Sequence, residues 1–122
     1  MNITRQAQSA YAPTQMPVQT PRSVEAKLFS QVTSRLKKAQ ANPSSFAELV
    51  AALHDNRKIW TTFASAVAES DNRLPNPLRA QIFYLAEFTE FHTQKILRKE
   101  ADAAALIDIN AAIMRGLNGT EG

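Results

Sequence analysis

The chain has 122 residues, of which 44% are hydrophobic, with a formal net charge of +3 and no cysteine. This length is that of one ordinary domain. The missing cysteine excludes disulfides, zinc–thiolate sites and cysteine nucleophiles. No apolar run approaches the roughly 20 residues that span a bilayer, and the N-terminus lacks the apolar stretch of a signal peptide. We therefore expect a cytoplasmic protein without membrane insertion.

Basic residues are spread along the chain in small groups, each close to a predicted helix end or to acidic neighbours. Proteins that bind nucleic acid usually concentrate Lys and Arg on one face. Basic residues at the C-terminal ends of helices are instead explained by the helix dipole. Direct binding of nucleic acid is therefore not expected.

Residues 1–22 are rich in Gln, Thr and Pro and show little periodicity. Pro13, Pro17 and Pro21 discourage a long helix here. We predict a flexible N-terminal arm, in which Tyr11 is a candidate contact for the domain or for a partner.

The first clear helical pattern runs from Pro21 or Ser23 to Gln40 and contains a narrow apolar stripe that repeats every four residues. Thr20 or Ser23 is the expected cap, and a proline suits the first helical position. The stripe consists of Val24, Leu28, Val32 and Leu36.

The second predicted helix starts after Ser45 and ends near Glu69. Ser45 followed by Glu48 forms a capping-box pattern, in which each side chain satisfies a backbone N–H of the first turn. Apolar residues follow at helical spacing, but the turn from His54 to Lys58 is polar. This interruption in a long amphipathic helix requires a structural or functional explanation.

The third predicted helix starts with Asn76 as cap and Pro77 at the first position, and it ends near Lys99. Its apolar residues are spread so widely that contacts on more than one side are expected. The inner face is predicted to contain Leu78, Ile82, Leu85 and Phe88, with Phe83, Tyr84 and Phe91 spread around it.

The last predicted helix covers about residues 103–117, opened by Asp102 or a neighbour. Gly116 and Gly119 are expected to stop it. No segment alternates with the period of a strand. Four amphipathic helices with short connections predict an all-α protein, a small helical bundle of about four helices. We expect a helical domain at residues 23–118, after the arm of residues 1–22 and before a frayed tail at 119–122.

The sequence contains few groups that could form a catalytic site. His54 and His92 lie on different predicted helices, with no second ligand at metal spacing. There is no glycine-rich phosphate loop and no nucleophile elbow. Glu87 and Glu90 share a helix face, where a carboxylate pair normally serves solvation. We expect a non-enzymatic protein with no catalytic residues, metal or cofactor.

Three short segments combine an amide or an arginine with apolar residues: 56–60, 72–82 and 107–117. Taken alone, such segments are explained more simply by buried polar bridges between helices, which fix the register of a bundle. In this order they resemble the flagellar FlaF family. The resemblance is carried by Asn56-Arg57-x-x-Trp60, by the Asn72-x-Leu74-Pro75 turn before Leu78-Arg79-Ala80, and by the ending Ile109-Asn110-x-x-Ile113-Met114-x-Gly116-Leu117.

The resemblance covers nearly the whole chain and implies an all-helical protein of flagellin production and export. One expected mechanism is a chaperone that covers the terminal helices of unassembled flagellin by helix-in-groove binding. The alternative is post-transcriptional regulation of flagellin synthesis, through messenger RNA or a partner regulator such as FlbT. An exported structural part of the flagellum is a third reading.

A groove for a flagellin helix requires apolar anchors surrounded by polar residues that fix direction. Trp60 is the first candidate anchor, although a lone tryptophan on an apolar face is also typical of a core. Arg57 and Arg79 are candidates to bind carboxylates or carbonyls of a partner, and Met114 is adaptable. The predicted partner-binding residues are Tyr11, Asn56, Arg57, Trp60, Arg79, Phe83, Tyr84, Phe91 and Met114.

Overall fold

A computed structural model describes residues 21–42, 45–69 and 73–121, and these residues form four helices and no strand. Helix α1 spans Pro21–Ala41, α2 spans Phe46–Ala68, α3 spans Asn76–Leu97 and α4 spans Ala104–Glu121. The predicted all-α bundle is confirmed. The predicted arm covers residues 1–22. Its last two residues belong to α1, and the others lie outside the described residues.

The helices form a ring in chain order. α1 packs along both α2 and α4, and α2 packs along α3, whereas α3 and α4 meet only over a short stretch. α1 therefore lies diagonally opposite α3, and α2 lies opposite α4. The fourth side of the ring, between α3 and α4, is the least tightly closed.

Three aromatic rings form the centre of the apolar core. Phe29 from α1 meets Trp60 and Phe63 from α2 edge to face, with ring centroids 5.4 Å apart in both pairs. Trp60 and Phe63 make the third such contact, at 5.9 Å. Edge-to-face pairs contribute beyond the burial of their area. Together they join α1 to α2 in the core.

The start of α2 differs from the predicted capping box. The Ser45 side chain makes no capping hydrogen bond, and its backbone has φ −112° and ψ 68°. Instead, its carbonyl accepts the N–H groups of Glu48 and Leu49 at 3.2 and 3.3 Å. The capping box was wrong because this backbone conformation does not bring the hydroxyl to the first-turn amides.

The end of α3 is a tight left-handed turn. Lys99 has φ 63°, its N–H donates to the carbonyl of Ile96 at 2.9 Å, and the N–H of Glu100 donates to that of Lys95 at 2.8 Å. This pair of bonds is a Schellman motif, whose left-handed position usually holds glycine. The Lys99 ammonium lies 4.8 Å from the centroid of the Phe46 ring at the start of α2.

The start of α4 agrees with the sequence, but its end does not. The Asp102 carboxylate accepts the N–H of Ala104 at 3.0 Å, so Asp102 opens the helix as predicted. The N–H of Ala103 donates to the Gln40 side chain at 2.7 Å, which ties this end to α1. Gly116 and Gly119 lie within the helix rather than stopping it.

The inner face of α3 also differs from the prediction. Its buried positions are Ile82, Thr89, Thr93 and Ile96. Leu78 is instead exposed, while Leu85 is half-buried against the core. Phe88 is half-buried as well and stacks on His92, with centroids 5.3 Å apart. Apolar periodicity identified Ile82 correctly and Leu85 in part, but it missed Thr89 and Thr93 because their side chains are polar.

Candidate functional site

Three side chains form a hydrogen-bonded chain through the core. The Trp60 indole N–H donates to Asn110 Oδ1 at 2.9 Å, and Asn110 Nδ2 donates to Asn56 Oδ1 at 2.8 Å. Asn56 and Asn110 are fully buried, and Trp60 is 2% exposed. This chain joins α2 directly to α4 across the bundle. Trp60 and Asn56 therefore bridge helices and are enclosed in the core.

Each helix contributes a buried polar side chain near the middle of the bundle, and we call these four residues the polar layer: Thr33, Asn56, Thr89 and Asn110. Helix α3 buries a second polar side chain, Thr93, one turn further along. The hydrogen bond between the two asparagines puts α2 and α4 at one level. Contacts made by residues near the two threonines show their height along the bundle axis.

The level of Thr33 follows from the contact between Gln40 and Ala103. Thr33 lies two helical turns before Gln40, and Asn110 lies two turns after Ala103, so antiparallel helices bring them to the same height. The level of Thr89 follows in the same way, because Glu90 beside it binds Arg57. All four polar residues thus share one cross-section of the bundle.

Three atoms of this layer make no hydrogen bond among the described residues: Thr33 Oγ1, Asn56 Nδ2 and Thr89 Oγ1. An unsatisfied buried donor or acceptor costs about 1–3 kcal/mol. The polar layer therefore fixes register at the expense of stability, which is a known use of buried polar groups.

The polar turn within α2 now has a structural explanation. Asp55 forms an ion pair with Arg35 of α1, Asn56 enters the polar layer, and Arg57 binds both carboxylate oxygens of Glu90 on α3, at 2.9 and 2.8 Å. His54 is exposed. Consecutive residues of one turn thus contact three different helices.

Arg79 near the start of α3 caps the end of α2. Its Nε donates to the carbonyl of Val67 at 3.0 Å, and its Nη2 lies 3.5 Å from the carbonyl of Glu69. A cation at a helix C-terminus satisfies orphan carbonyls and opposes the helix dipole. Arg57 and Arg79 both lie along the junction of α2 and α3, with their groups bound within the chain.

Three of the four exposed aromatic residues among the described positions lie on the outside of α3, and the fourth, Phe46, lies at the start of α2. Tyr84 is 65% exposed, Phe91 is 63% exposed and Phe83 is 38% exposed. Tyr84 and Phe91 are two turns apart and share one side, with Phe88 between them. The Lys95 ammonium lies 5.9 Å from the Phe91 centroid. We call Phe83, Tyr84, Phe88 and Phe91 the outer aromatic surface.

The predicted partner-binding residues do not form one site. Asn56 and Trp60 are core residues, Arg57 and Arg79 join α2 to α3, and Met114 is half-buried against the core. Tyr11 lies outside the described residues. The other three, Phe83, Tyr84 and Phe91, remain available at the surface.

Sequence reasoning missed the roles of Thr89 and Glu90, whereas the segment around Asn110 was interpreted as a possible buried polar bridge between helices, which the structure contains. A signal for Thr89 was present, because it lies two turns from both Ile82 and Ile96 and so on their side of the helix. Asn110 follows an apolar stripe in α4, which also suggested burial. No local signal identifies Glu90 as the partner of Arg57.

Two concave regions lie elsewhere on the described surface. A pocket of about 500 Å³ at the end of the bundle is bordered by Gln40, Phe46, Lys99 and Asp102, among others. A groove of about 430 Å³ between α1 and α2 has Leu28 and Ile59 in its lining.

The charged groups near the end of α3 serve the fold. A hydrogen bond from Arg98, helped by its charge, holds the pKa of Glu100 below its usual range. The His92 ring nitrogen Nε2 donates to the carbonyl of Asp102 at 3.0 Å. Two further features are absent from the described residues, a metal-binding cluster and a membrane-spanning helix. The His, Asp and Glu side chains of these residues form no group of three that could hold a metal ion. The four helices include none long and apolar enough to cross a bilayer.

Comparison with known proteins agrees with the motifs that run through α2, α3 and α4. The family model described as flagellar protein FlaF matches residues 7–117, nearly the whole chain. Searches of curated proteins and of solved structures found no match. The match extends over the asparagine–tryptophan chain, the α2–α3 junction and the outer aromatic surface, and the chain therefore belongs to the flagellar protein FlaF family, which supports a role in the flagellum.

Proposed function

We propose that this protein is a non-enzymatic chaperone that binds flagellin before assembly and so promotes its secretion and filament formation. The observation that carries the proposal is the outer aromatic surface of α3. Tyr84 and Phe91 are both more than 60% exposed, although the same helix buries polar threonines. Large aromatic side chains gathered at a surface are typical of binding sites.

The spacing of these residues suits a helical partner. Tyr84, Phe88 and Phe91 follow one another at four and three residues, which is the spacing of a helix–helix seam. Lys95 continues the same line and supplies a cation at its end. An amphipathic helix with an apolar stripe and a carboxylate at one end complements this surface.

Flagellin is the expected partner because the family is flagellar and because the terminal helices of unassembled flagellin present apolar faces. Regulation of flagellin synthesis is the alternative function. Direct RNA binding is its weaker form, because Arg35, Arg57, Arg79 and Arg98 all have partners within the chain. Those arginines are less available to phosphates.

The direct test is calorimetric titration of the full-length protein with monomeric flagellin, with a flagellin that lacks its terminal helices as control. We expect micromolar or tighter binding that requires those helices. No association would shift the function to regulation, with flagellin messenger RNA and the FlbT regulator as the next ligands.

Variants locate the binding surface. Tyr84→Ala and Phe91→Ala should each weaken flagellin binding by about tenfold or more, since aromatic anchors typically contribute over 1 kcal/mol. Leu28→Ala is the matched control, because Leu28 is a 43% exposed apolar residue on α1, away from α3. Equal effects of all three substitutions would place the site elsewhere.

A further inference from the structure

Helix α3 buries little apolar surface for its length. Its fully buried apolar side chains are Ile82 near the start and Ile96 near the end, at 3% and 1% exposure. Its exposed large apolar side chains are more numerous: Leu78, Phe83, Tyr84 and Phe91. Burial of apolar area is the main force that holds a helix to a bundle. The fully buried apolar anchors of α3 therefore lie near its two ends, and between them only the partly buried Leu85 and Ala86 pack against the core.

The fully buried side chains between Ile82 and Ile96 on the inner face of α3 are both polar. Thr89 is 1% exposed and its hydroxyl makes no hydrogen bond, whereas Thr93 is fully buried and donates to the carbonyl of Thr89 at 2.7 Å. Release of Thr89 to water regains the hydration that its burial costs. Water therefore satisfies the Thr89 hydroxyl better than the core does.

The neighbours of α3 also hold it loosely. It packs along α2, meets α4 over a short stretch and lies opposite α1. One link to α2 is the pair of Arg57 and Glu90, whose side chains are 41% and 50% exposed. Exposed ion pairs typically contribute less than about 1 kcal/mol. By contrast, α1, α2 and α4 are joined by the aromatic centre, the asparagine chain and the Gln40 contact.

We propose that α3 opens away from α1, α2 and α4 as one unit while those three helices remain folded, with Thr89 as its built-in weak point. Helices that open below the global free energy of unfolding are the usual mobile elements of a domain. The inference concerns the free protein and does not depend on flagellin.

The first test is hydrogen exchange of the wild-type chain, followed residue by residue by NMR. It is repeated at several urea concentrations below the unfolding transition. We expect the amides in the middle of α3 to exchange at least about tenfold faster than the slowest amides of α1 and α2, after correction for intrinsic rates. Their dependence on urea should also be weaker, because partial opening exposes less surface. Equal rates and equal urea dependence would show a single cooperative unit and overturn the proposal.

The second test compares two substitutions of the same chemistry on the same helix. Thr89→Val keeps the shape and removes an unsatisfied hydroxyl, so exchange of α3 amides should slow by about tenfold. Thr93→Val removes a hydroxyl that already has a partner, so it should not slow exchange. If both variants behave alike, or if Thr89→Val leaves α3 unchanged, Thr89 is not the weak point.

Discussion

Asn110 completes two buried contacts with one side chain, because it accepts from the Trp60 indole and donates to Asn56. Removing it leaves an indole N–H and an amide oxygen without these partners in the core. The cost of such orphaned groups exceeds the value of the bonds themselves. The segment that identified the family at the sequence level thus has a structural role at its centre.

Asn110→Ala is expected to lower the free energy of unfolding by about 3 kcal/mol, from two orphaned groups and a small cavity. Urea denaturation followed by circular dichroism measures this. Asp108→Ala is the control, because Asp108 is exposed on the same helix, and it should change stability by less than about 0.5 kcal/mol. A loss below about 1 kcal/mol for Asn110→Ala would contradict the assigned role.

For individual residues, the sequence pattern did not distinguish core side chains from surface side chains. Trp60 was a candidate anchor for a partner, yet it is surrounded by Phe29, Phe63 and Asn110. Its position on an apolar stripe fits either environment, since an indole can bury its ring and still find an acceptor. Only the position of Asn110 on a distant helix decides between them.

The turn after α3 contains a lysine in a backbone conformation that non-glycine residues rarely adopt. Lys99 has a left-handed backbone, which costs a residue with a Cβ roughly 1 kcal/mol relative to glycine. Its side chain partly offsets this by lying over the Phe46 ring. The turn joins α3 to α4 and also borders the pocket at the end of the bundle.

Two substitutions at Lys99 separate the backbone cost from the side-chain contact. Both Lys99→Ala and Lys99→Gly lose the contact with Phe46, but only glycine relieves the left-handed conformation. Lys99→Gly should therefore be more stable than Lys99→Ala by about 1 kcal/mol. Thermal unfolding measures the difference. Equal stability of the two variants would mean that the turn changes conformation when the lysine is lost.

Helix bounds were predictable to within a few residues where the signals are local. Asp102 marked the start of α4, and Pro77 marked that of α3 to within one residue, because their effect depends only on adjacent backbone. The predicted cap Asn76 was wrong, since Pro75 holds the cap position and Asn76 is the first residue of the helix. The end of α4 was wrong, since Gly116 in a helix costs only about 1 kcal/mol relative to alanine and does not stop it. The capping role of Ser45 was wrong because a cap depends on backbone angles that its sequence pattern does not determine.

At the scale of the whole molecule, the bundle was predictable because four amphipathic helices with short connections have few compact arrangements. The neighbour relations around the ring were not, since periodicity gives the buried face of a helix without naming the helix it meets. The open side between α3 and α4 is a property of the assembled ring. The distribution of the predicted partner-binding residues among the core, the α2–α3 junction and the surface also depends on the assembled bundle.

Exposed aromatic residues that serve binding should be dispensable for folding. A variant carrying both Tyr84→Ser and Phe91→Ser is expected to keep the free energy of unfolding within about 1 kcal/mol of the wild type, since exposed substitutions usually have small effects. Chemical denaturation tests this. A larger loss would show that the outer aromatic surface packs against another part of the chain, and flagellin binding by these variants would then need reinterpretation.

The sequence contains a single tryptophan, and the bundle encloses it between Phe29, Phe63 and Asn110. The protein therefore carries an intrinsic fluorophore whose emission colour reports water entry into its centre. A partner that binds only to the outside of α3 should leave the emission wavelength unchanged. A partner that separates the helices should shift the emission to longer wavelength, because water then reaches Trp60. One titration without any label thus separates surface docking from insertion into the core.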